Sequence, residues 1–383
     1  MEPGKHRIIV AGGGIGGLTA AVALVQRGHQ VQVLERAPEL RPIGAGLTVQ
    51  INAMRALAKL GLGEKVAAAG AVVRHAGIRN WDGAVISEMD MGPLCEELGA
   101  PCVGIHRAAL HAVLLEALGE APLKLGAAVT GYTETEAGVT VKLADGSELT
   151  CDLLIGADGI HSAIRAQLHG ASEPDYAGYT SWRGLCENTG ITAPDAIIET
   201  WGEGARFGLV PIGPGKLYWF AVADAEPNAH DGADLKAELM ARYGTWHREV
   251  VEALKATSAD HIFRTDITDR PVLKTWGAGR VSLVGDSAHA MTPNLGQGAC
   301  MAIEDGVVLA SALSEKADPA AALRLYEDRR RERTGNTVEM ARKFGKMGQW
   351  SNGVARAVRN AVVHATPNFI AERQMRWLYE FEA

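Results

Sequence analysis

The strongest constraint on the fold is a glycine-rich turn near the start of the chain. Residues 7–11 (RIIVA) are mostly apolar, which predicts a buried strand. Residues 16–27 carry apolar side chains on one helical face and are followed by Gly28, a typical helix stop. The run GGGIGG occupies residues 12–17 between them, and residues 31–35 form the next apolar strand. This order predicts a βαβ unit and therefore an α/β fold of Rossmann type.

Each of three glycines in this turn meets a mechanical requirement of a dinucleotide site. Gly12 permits the tight bend, Gly14 lets a pyrophosphate approach the backbone, and Gly17 lets the helix pack on the strand. The helix N-terminus offers N–H groups and a partial positive charge to phosphates. Glu35 ends the second strand and can accept hydrogen bonds from both adenosine ribose hydroxyls. A carboxylate there disfavours a 2′-phosphate, so NADP is not expected, but NAD and FAD both remain open.

Composition excludes several classes of function. The 383 residues carry a formal net charge of -7, which argues against nucleic acid because binding a polyanion needs a basic face. The five cysteines are odd in number and form no CxxC pair, which predicts reduced thiols in a cytoplasmic protein and no metal site. Residues 8–25 are uncharged, but five glycines interrupt them, so we expect neither a membrane anchor nor membrane contact.

A second segment of the sequence distinguishes between NAD and FAD as the bound dinucleotide. The apolar residues 281–284 end in Gly285 and Asp286, and a turn rich in proline and glycine at residues 293–298 then opens a long helix. An aspartate at a strand end can hold a hydroxyl of a sugar alcohol, such as a ribityl chain. The helix N-terminus would direct its dipole at the N1–C2=O edge of a flavin, which becomes anionic on reduction. This arrangement favours FAD.

The middle of the chain, from about residue 176 to 267, has a different sequence pattern. Aromatic residues concentrate there, and apolar residues alternate with polar ones. This pattern predicts an antiparallel sheet inserted into the first domain. We assign residues 1–75, 101–175 and 268–383 to an FAD-binding domain with C-terminal helices. Residues 76–100 and 176–267 are assigned to a substrate-binding sheet domain.

The remaining segments give simpler predictions. Residues 53–69 are expected to be helical, Asp145-Gly146 is expected to turn a hairpin, and residues 152–157 are expected to form a buried strand. Beyond residue 299 the pattern is helical, and the charged run at residues 327–333 predicts a solvated face.

Three motifs, in order and at similar spacing, resemble those of the class A flavoprotein monooxygenases. This family includes para-hydroxybenzoate hydroxylase, salicylate hydroxylase, urate hydroxylase and zeaxanthin epoxidase. The first motif is the glycine turn with Glu35 and Arg36. The second, DLLIGADGIHSAIR at residues 152–165, resembles the motif that serves both FAD and NAD(P)H. The third covers residues 285–305.

The resemblance implies a set of residues that hold non-covalent FAD. Glu35 takes the ribose, Arg36 lies by the adenine, Arg107 reaches the phosphates, and Asp286 holds the ribityl chain. A surface charge at a helix start is the alternative for Arg107. The implied cofactor-binding residues are Gly12, Gly14, Ile15, Gly16, Gly17, Glu35, Arg36, Ala45, Gly46, Arg107, Val129, Asp158, Asp286, Leu295, Gly296, Gln297, Gly298 and Ala299.

The family likeness also implies a reaction. NADH or NADPH reduces the flavin, O2 adds to give a C4a-hydroperoxide, and one oxygen atom passes to a small aromatic or heteroaromatic ring. One alternative is an epoxidase acting on an isoprenoid or quinone-like double bond. An alternative of another class is a non-catalytic FAD-binding redox sensor. The protein is expected to be a monomer or a homodimer.

Three residues are candidates for the substrate side. By resemblance, Arg206 faces the flavin or substrate, Tyr218 orients the substrate or relays a proton, and the carbonyl of Pro293 lies near the substrate. A sheet-edge arginine and a buried tyrosine with a satisfied hydroxyl are the structural alternatives. Urate hydroxylase-like members carry an acid where this chain has Asn294, so urate-type chemistry is in doubt. His289 is expected to be a packed, hydrogen-bonded imidazole.

Overall fold

The computed structural model describes residues 4–40, 45–232 and 234–380. Within these ranges the chain forms four β-sheets and thirteen α-helices. None of the described helices is both long and apolar enough to cross a membrane. The helices are Ile15–Gln26, Ile51–Lys59, Gly63–Ala69, Gly92–Leu98, Arg107–Leu118, Ala163–His169, Leu235–Tyr243, Arg248–Ala256, Asp286–His289, Gly298–Glu315, Pro319–Gly348, Gly353–Ala365 and Asn368–Tyr379.

A five-stranded sheet, parallel throughout, forms the centre of the cofactor-binding part and confirms the predicted Rossmann-type core. Its interior strands are buried because helices cover the sheet, as parallel sheets require. Parallel strands place their carboxyl ends at one edge, so the glycine turn and Gly285 emerge together. In spatial order the strands are Val281–Leu283, Leu153–Gly156, Arg7–Ala11, Gln30–Leu34 and Leu123–Lys124.

A seven-stranded sheet contains the predicted inserted strands. Neighbouring strands are antiparallel except for one pair, His75–Asn80 with Ala196–Trp201, which runs parallel. The remaining strands, in spatial order from the edge, are Phe263–Asp269, Asp175–Glu187, Lys216–Asp224 and Ala205–Gly213, with Val85–Asp90 at the opposite edge.

One face of this sheet is covered by two helices, Leu235–Tyr243 and Arg248–Ala256. The sequence pattern of alternating residues did not predict them, although each helix carries a buried pair at helical spacing, Leu239 with Tyr243 and Val250 with Leu254. Phe207 stacks on Trp219 with ring centroids 5.3 Å apart, beneath these helices. The opposite face is therefore free to meet the cofactor-binding part.

Two three-stranded sheets complete the fold. One contains the predicted hairpin, because Gly138–Leu143 pairs with Glu148–Cys151 on one side and Val129–Thr135 on the other. The other joins Gly46–Val49 and Ala71–Val73 to the two edges of Cys102–His106.

The single helix predicted over residues 53–69 is wrong in one respect. The structure has two helices, Ile51–Lys59 and Gly63–Ala69. Between them Gly61 has φ = 74°, a left-handed conformation that ends a helix and that glycine adopts without strain.

The solvated face predicted for residues 327–333 holds only for Asp328, Arg329 and Glu332, which are exposed. Arg330 is fully buried, and Glu327 is nearly so. The Arg330 Nε lies 2.7 Å from Asp305 Oδ1, and its Nη1 lies 2.5 Å from Glu304 Oε2. The sequence predicted a solvated face because charged residues are rarely buried in a protein core. In this structure each buried charge of the run has a partner of opposite charge. Helix Pro319–Gly348 is thus tied to helix Gly298–Glu315 through ion pairs.

Neighbouring arginines provide a matched test of this buried cluster. Arg330→Ala should lower the free energy of unfolding by about 3–5 kcal/mol, because it removes the buried guanidinium that Glu304 and Asp305 share. Arg329→Ala, which removes a half-exposed pair with Glu315, should cost no more than about 1 kcal/mol. Urea unfolding of both variants measures the difference, and equal losses would contradict the assignment of the cluster.

Candidate functional site

The glycine turn has two kinds of glycine. Gly12 has φ = 118°, and a Cβ there would lie 2.0 Å from the Ala157 carbonyl oxygen. A Cβ on Gly17 would lie 1.9 Å from the Gly12 carbonyl oxygen. A Cβ on Gly14, in contrast, would meet no protein atom within 4 Å. The fold itself therefore requires Gly12 and Gly17, whereas Gly14 borders open space that suits a pyrophosphate.

The groups around this open space suit a dinucleotide. Helix Ile15–Gln26 begins after Gly14 with no side-chain cap, so its first N–H groups can bind phosphate oxygens. Glu35 Oε2 accepts a hydrogen bond from Gly13 N at 2.8 Å, and Oε1 accepts one from Ala37 N at 2.8 Å. Because each carboxylate oxygen has a further lone pair, Glu35 can still accept from a ribose hydroxyl.

His111 is a contributor that sequence reasoning missed. Its Nε2 lies 2.7 Å from the Gly13 carbonyl oxygen, within hydrogen-bond distance. His111 belongs to helix Arg107–Leu118, which therefore braces the glycine turn from the side. No local motif marks this residue, because the contact spans 98 positions of sequence.

Asp286 stands at the edge of the parallel sheet where a flavin is expected. It is exposed, while Gly285 and Ser287 on either side are buried. Gly285 has φ = 63°, a left-handed turn that directs the chain from strand into helix. The geometry leaves the Asp286 carboxylate free to hold a ribityl hydroxyl.

Asp305 fixes this turn from inside the protein. Its Oδ2 accepts hydrogen bonds from Gly285 N at 2.9 Å and from His289 Nε2 at 2.6 Å. Burial raises the pKa of Asp305, but His289 and Arg330 lower it by more, so that its pKa lies below the usual range. Asp305 therefore remains a carboxylate at neutral pH, and His289 is the packed, hydrogen-bonded imidazole that the sequence predicts.

The segment before helix Gly298–Glu315 forms a rigid turn. Pro293–Leu295 is one turn of 3₁₀ helix, and Gly296 follows with φ = 63°. The Gln50 side-chain amide donates to the Leu295 carbonyl oxygen at 2.7 Å and holds the turn in place. No side chain of the described residues caps the first N–H groups of helix Gly298–Glu315, which can therefore meet an anion.

Gln297 has a fully buried side chain, which limits its predicted role. Its Nε2 donates to Gln50 Oε1 at 2.6 Å, and its Oε1 accepts from Asn52 Nδ2 at 3.0 Å. Any contact between Gln297 and a cofactor would therefore use backbone atoms. Leu295 is also buried, whereas Gly296 is exposed and Gly298 and Ala299 are half-buried.

Two helices bring together the segments predicted to hold the phosphates and the flavin. A Cβ on Gly306 would lie 2.7 Å from Ala20 N, so helices Ile15–Gln26 and Gly298–Glu315 touch at backbone distance. Nearer their N-termini, a Cβ on Gly16 would lie 3.0 Å from Ala302 Cβ. Both helix N-termini therefore point toward one region, where their dipoles favour negative charge.

The second motif, at residues 152–165, stabilises neighbouring parts of the site. Asp158 Oδ2 accepts from Ala163 N at 2.8 Å at the start of helix Ala163–His169. Its Oδ1 accepts from the Ser287 hydroxyl at 3.2 Å, which links the second motif to the third. These contacts give Asp158 a structural role, while its predicted contact with FAD stays a prediction.

Other residues predicted to hold the cofactor lie outside the glycine turn and the third motif. Arg107 N donates to the Ala45 carbonyl oxygen at 3.1 Å, and the Arg107 side chain is exposed. Arg36 is exposed just beyond Glu35, and Val129 begins a strand. Gly44, which would precede Ala45 near the flavin, lies outside the described residues.

Arg206 is buried and held by three elements. Its Nη2 lies 2.6 Å from Asn294 Oδ1, its Nη1 lies 3.2 Å from Glu199 Oε1, and its Nε lies 3.0 Å from Gln349 Oε1. Asn294 in turn donates to the Tyr179 hydroxyl at 2.8 Å. The structure therefore places the predicted Arg206 directly beside the segment that begins at Pro293.

Tyr218 and Arg206 share one face of the seven-stranded sheet. Arg206 pairs with Val222 and Tyr218 with Val210, so both project away from the face that carries Trp219. They are separated by about 13 Å along the strand, which is four residues at ~3.3 Å each. Tyr218 meets the cofactor side, because a Cβ on Gly46 would lie 2.5 Å from Tyr218 Cβ.

The Tyr218 hydroxyl is suited to donate a hydrogen bond. Burial raises the pKa of Tyr218 above its usual value, and the nearby Arg183 offsets this only in part. The phenol therefore remains protonated at neutral pH. No group of three or more His, Cys, Asp or Glu side chains able to hold a metal ion occurs among the described residues.

Comparisons with known proteins identify the class to which this fold and site belong. Residues 5–341 match the family model described as FAD binding domain. The chain is 46% identical to aurachin C monooxygenase/isomerase of Stigmatella aurantiaca, over 93% of each chain. It is 37% identical to an FAD-dependent urate hydroxylase of Klebsiella pneumoniae, over 88% of this chain and 89% of the relative.

A solved structure agrees with this assignment. Klebsiella pneumoniae HpxO, complexed with FAD and uric acid, superimposes with a TM-score of 0.91 at 33% identity, covering 96% of this chain and 95% of that chain. The chain belongs to the FAD-binding family of flavoprotein monooxygenases. It is an FAD-dependent monooxygenase, and the family resemblance drawn from the three motifs is confirmed.

Substitution of Gly14 separates cofactor binding from folding. Gly14→Ala should leave the stability of the FAD-free protein within about 0.5 kcal/mol of the parent, since the new methyl group meets no protein atom. The same methyl group should obstruct the pyrophosphate and weaken FAD binding by at least about ten-fold. Flavin fluorescence titration and urea unfolding measure the two effects.

Gly353→Ala is the matched control, because its Cβ also meets no protein atom within 4 Å but lies at the start of a C-terminal helix. It should bind FAD as the parent does. Normal FAD affinity in Gly14→Ala would show that the open space at Gly14 does not receive the pyrophosphate.

Proposed function

We propose that this protein uses NADH or NADPH and O2 to insert one oxygen atom into an aromatic or heteroaromatic ring through a C4a-hydroperoxyflavin. The observation that supports this proposal most directly is that Arg206 and Tyr218 lie on one face of the sheet, and that this face is turned toward the predicted flavin segment. The names of the relatives support an oxygenase of ring compounds, since urate is a heteroaromatic ring. Bound FAD supplies the redox and oxygen chemistry, and the chain supplies binding, orientation and electrostatics.

The cofactor side stabilises negative charge at two places. N–H groups at the start of helix Ile15–Gln26 would meet the pyrophosphate. The N-terminus of helix Gly298–Glu315 would face the pyrimidine edge of the flavin and favour the anion that reduction creates there. Asp286 would hold the ribityl chain, which fixes the depth of the ring relative to the substrate sheet.

Arg206 would hold negative charge on the substrate or flavin side. Its hydrogen bonds to Asn294, Gln349 and Glu199 fix the guanidinium plane before a ligand arrives. Asn294 contributes a neutral amide oxygen, so Glu199 is the carboxylate that faces Arg206 among its hydrogen-bond partners. This differs from members with an acid at position 294, and we therefore do not propose urate as the substrate.

Tyr218 would orient the ring from the other end of the same sheet face. Its protonated hydroxyl can donate to a substrate oxygen, while Val210 and Ile212 beside it form an apolar wall. The Pro293 carbonyl oxygen accepts from Gly296 N at 2.9 Å and has a second lone pair for a substrate donor. Such a site suits a flat, mostly apolar ring with a few polar substituents.

An activity screen tests the proposal. The FAD-loaded protein would be mixed in air with NADH or NADPH, with and without a panel of ring compounds, under ¹⁸O2. At least one compound should speed oxidation of the nicotinamide and yield a product heavier by one ¹⁸O atom. Oxidation without any oxygenated product would contradict the proposal and favour a redox sensor, and an epoxide product would favour the epoxidase.

Substitution of Arg206 tests the substrate side. With a substrate found by the screen, Arg206→Ala should raise KM or uncouple nicotinamide oxidation from product formation, by about ten-fold or more, because a charge-assisted hydrogen bond contributes about 1.5–3 kcal/mol. The control is Arg79→Ala, in the same sheet but paired with Glu249, which should leave coupling unchanged. Parent-like KM and coupling in Arg206→Ala would refute the role of Arg206.

A further inference from the structure

Helix Gly353–Ala365 has an outward face that is almost entirely apolar. Val354, Val358 and Val362, one turn apart, are 74%, 57% and 60% exposed. Ala357, Ala361 and Ala365 lie between them on the same exposed arc, and His364 is the one ionisable side chain there. A surface helix of a soluble domain normally turns such a stripe toward the core.

The polar side of this helix faces the protein instead. Arg359 is buried, with its guanidinium carbon 4.6 Å from the centroid of the Trp201 ring. Its Nη1 donates to the Met347 carbonyl oxygen at 3.0 Å. Arg356 pairs with Glu203 at 3.1 Å. The helix is thus anchored through its arginines, and burial in the core does not explain its apolar residues.

The surroundings of the helix are apolar and cationic. Trp350, which precedes the helix, is 42% exposed, and Phe369, which follows it, is 69% exposed. Residues 340–371 contain five lysines and arginines and no aspartate or glutamate, in a chain whose net charge is -7. Three of the five do not add free positive charge to the surface, because Arg342 pairs with Asp269, Arg356 pairs with Glu203 and Arg359 is buried. Lys343 and Lys346 are exposed near Trp350. We name Trp350, Val354, Val358, Val362 and Phe369 the C-terminal apolar face.

We propose that the C-terminal apolar face binds the surface of an anionic lipid bilayer. A helix lying in the interface buries its apolar side among acyl chains, and aromatic residues prefer the headgroup level. Lys343 and Lys346, which are exposed in the last turns of the helix before Trp350, would be attracted by anionic headgroups. The absence of a membrane-crossing helix among the described residues agrees with attachment at the surface.

A second copy of the chain fits the face less well. A helix of 13 residues is about 20 Å long, so two of them crossing would bury less than the ~1,200 Å² of a stable interface. A two-fold contact would also bring the same lysines toward each other. The proposal departs from the sequence-based expectation of no membrane contact, and it does not depend on the reaction that the protein catalyses.

The face lies close to the substrate side of the enzyme. His364 Nδ1 lies 3.2 Å from the Ile86 carbonyl oxygen on the edge strand of the seven-stranded sheet. Just before the face, Gln349 holds Arg206. Attachment through this face would therefore keep the substrate side next to the lipid surface, which suits a lipophilic ring compound.

Vesicle sedimentation tests the proposal with the full-length FAD-loaded protein. Phosphatidylcholine vesicles, alone or with 30 mol% phosphatidylglycerol, provide the neutral and anionic surfaces. The parent should sediment with the anionic vesicles at least ten-fold more than with the neutral ones, and high salt should reduce the difference. The triple variant V354E/V358E/V362E should lose at least ten-fold in binding, whereas the control V272E, at an exposed valine elsewhere, should bind as the parent does.

Folding of each variant is checked by its flavin absorbance and thermal unfolding. If the triple glutamate variant does not fold, V354S/V358S/V362S replaces it and should also weaken binding. Failure of the folded parent to bind anionic vesicles would overturn the proposal. It would also be overturned if light scattering showed a parent dimer that the triple variant converts to a monomer, since a second copy would then cover the face.

Discussion

The buried carboxylate of Asp305 is the interaction on which the rest of the site depends. It binds the backbone of the Gly285 turn, the imidazole of His289 and the guanidinium of Arg330 within one fully buried group. A lone charge there would cost several kcal/mol, so the carboxylate is compatible with the core only when all three partners are present. The same three contacts also fix the backbone at the end of the strand, where Asp286 follows.

The neighbouring Glu304 extends this constraint to the predicted flavin segment. It is also fully buried, and it accepts from Arg330, Arg333 and Asn52. Asn52 donates to Gln297, and Gln297 donates to Gln50, which holds the Leu295 carbonyl. A continuous set of polar contacts thus leads from helix Pro319–Gly348 to the turn where the flavin ring is expected, and each member orients the next.

The sequence predicts the βαβ frame of the cofactor side well because its determinants are local. A strand, a tight turn and a helix N-terminus each depend on a few neighbouring residues, so Gly12, Gly17 and Glu35 could be assigned from spacing alone. The direction of a charged side chain depends on distant partners instead. Arg330 therefore looked solvated, and His111 carried no signal, although it contacts the glycine turn. The contact of Arg206 with Asn294 spans 88 positions and was not predicted, although the family likeness marked Arg206 as a candidate for the substrate side.

The seven-stranded sheet separates stability from specificity. Along strand Ala205–Gly213, odd-numbered residues such as Phe207 and Leu209 pack under the two covering helices. Even-numbered residues such as Arg206 and Val210 face the cofactor-binding part. Because the two sets point in opposite directions, a change at an even position of this strand alters the face turned to the cofactor-binding part and leaves the packing beneath the two covering helices in place. In the flanking strands the register places odd-numbered residues on this same face, since Glu199 pairs with Gly208 and Leu185 pairs with Tyr218.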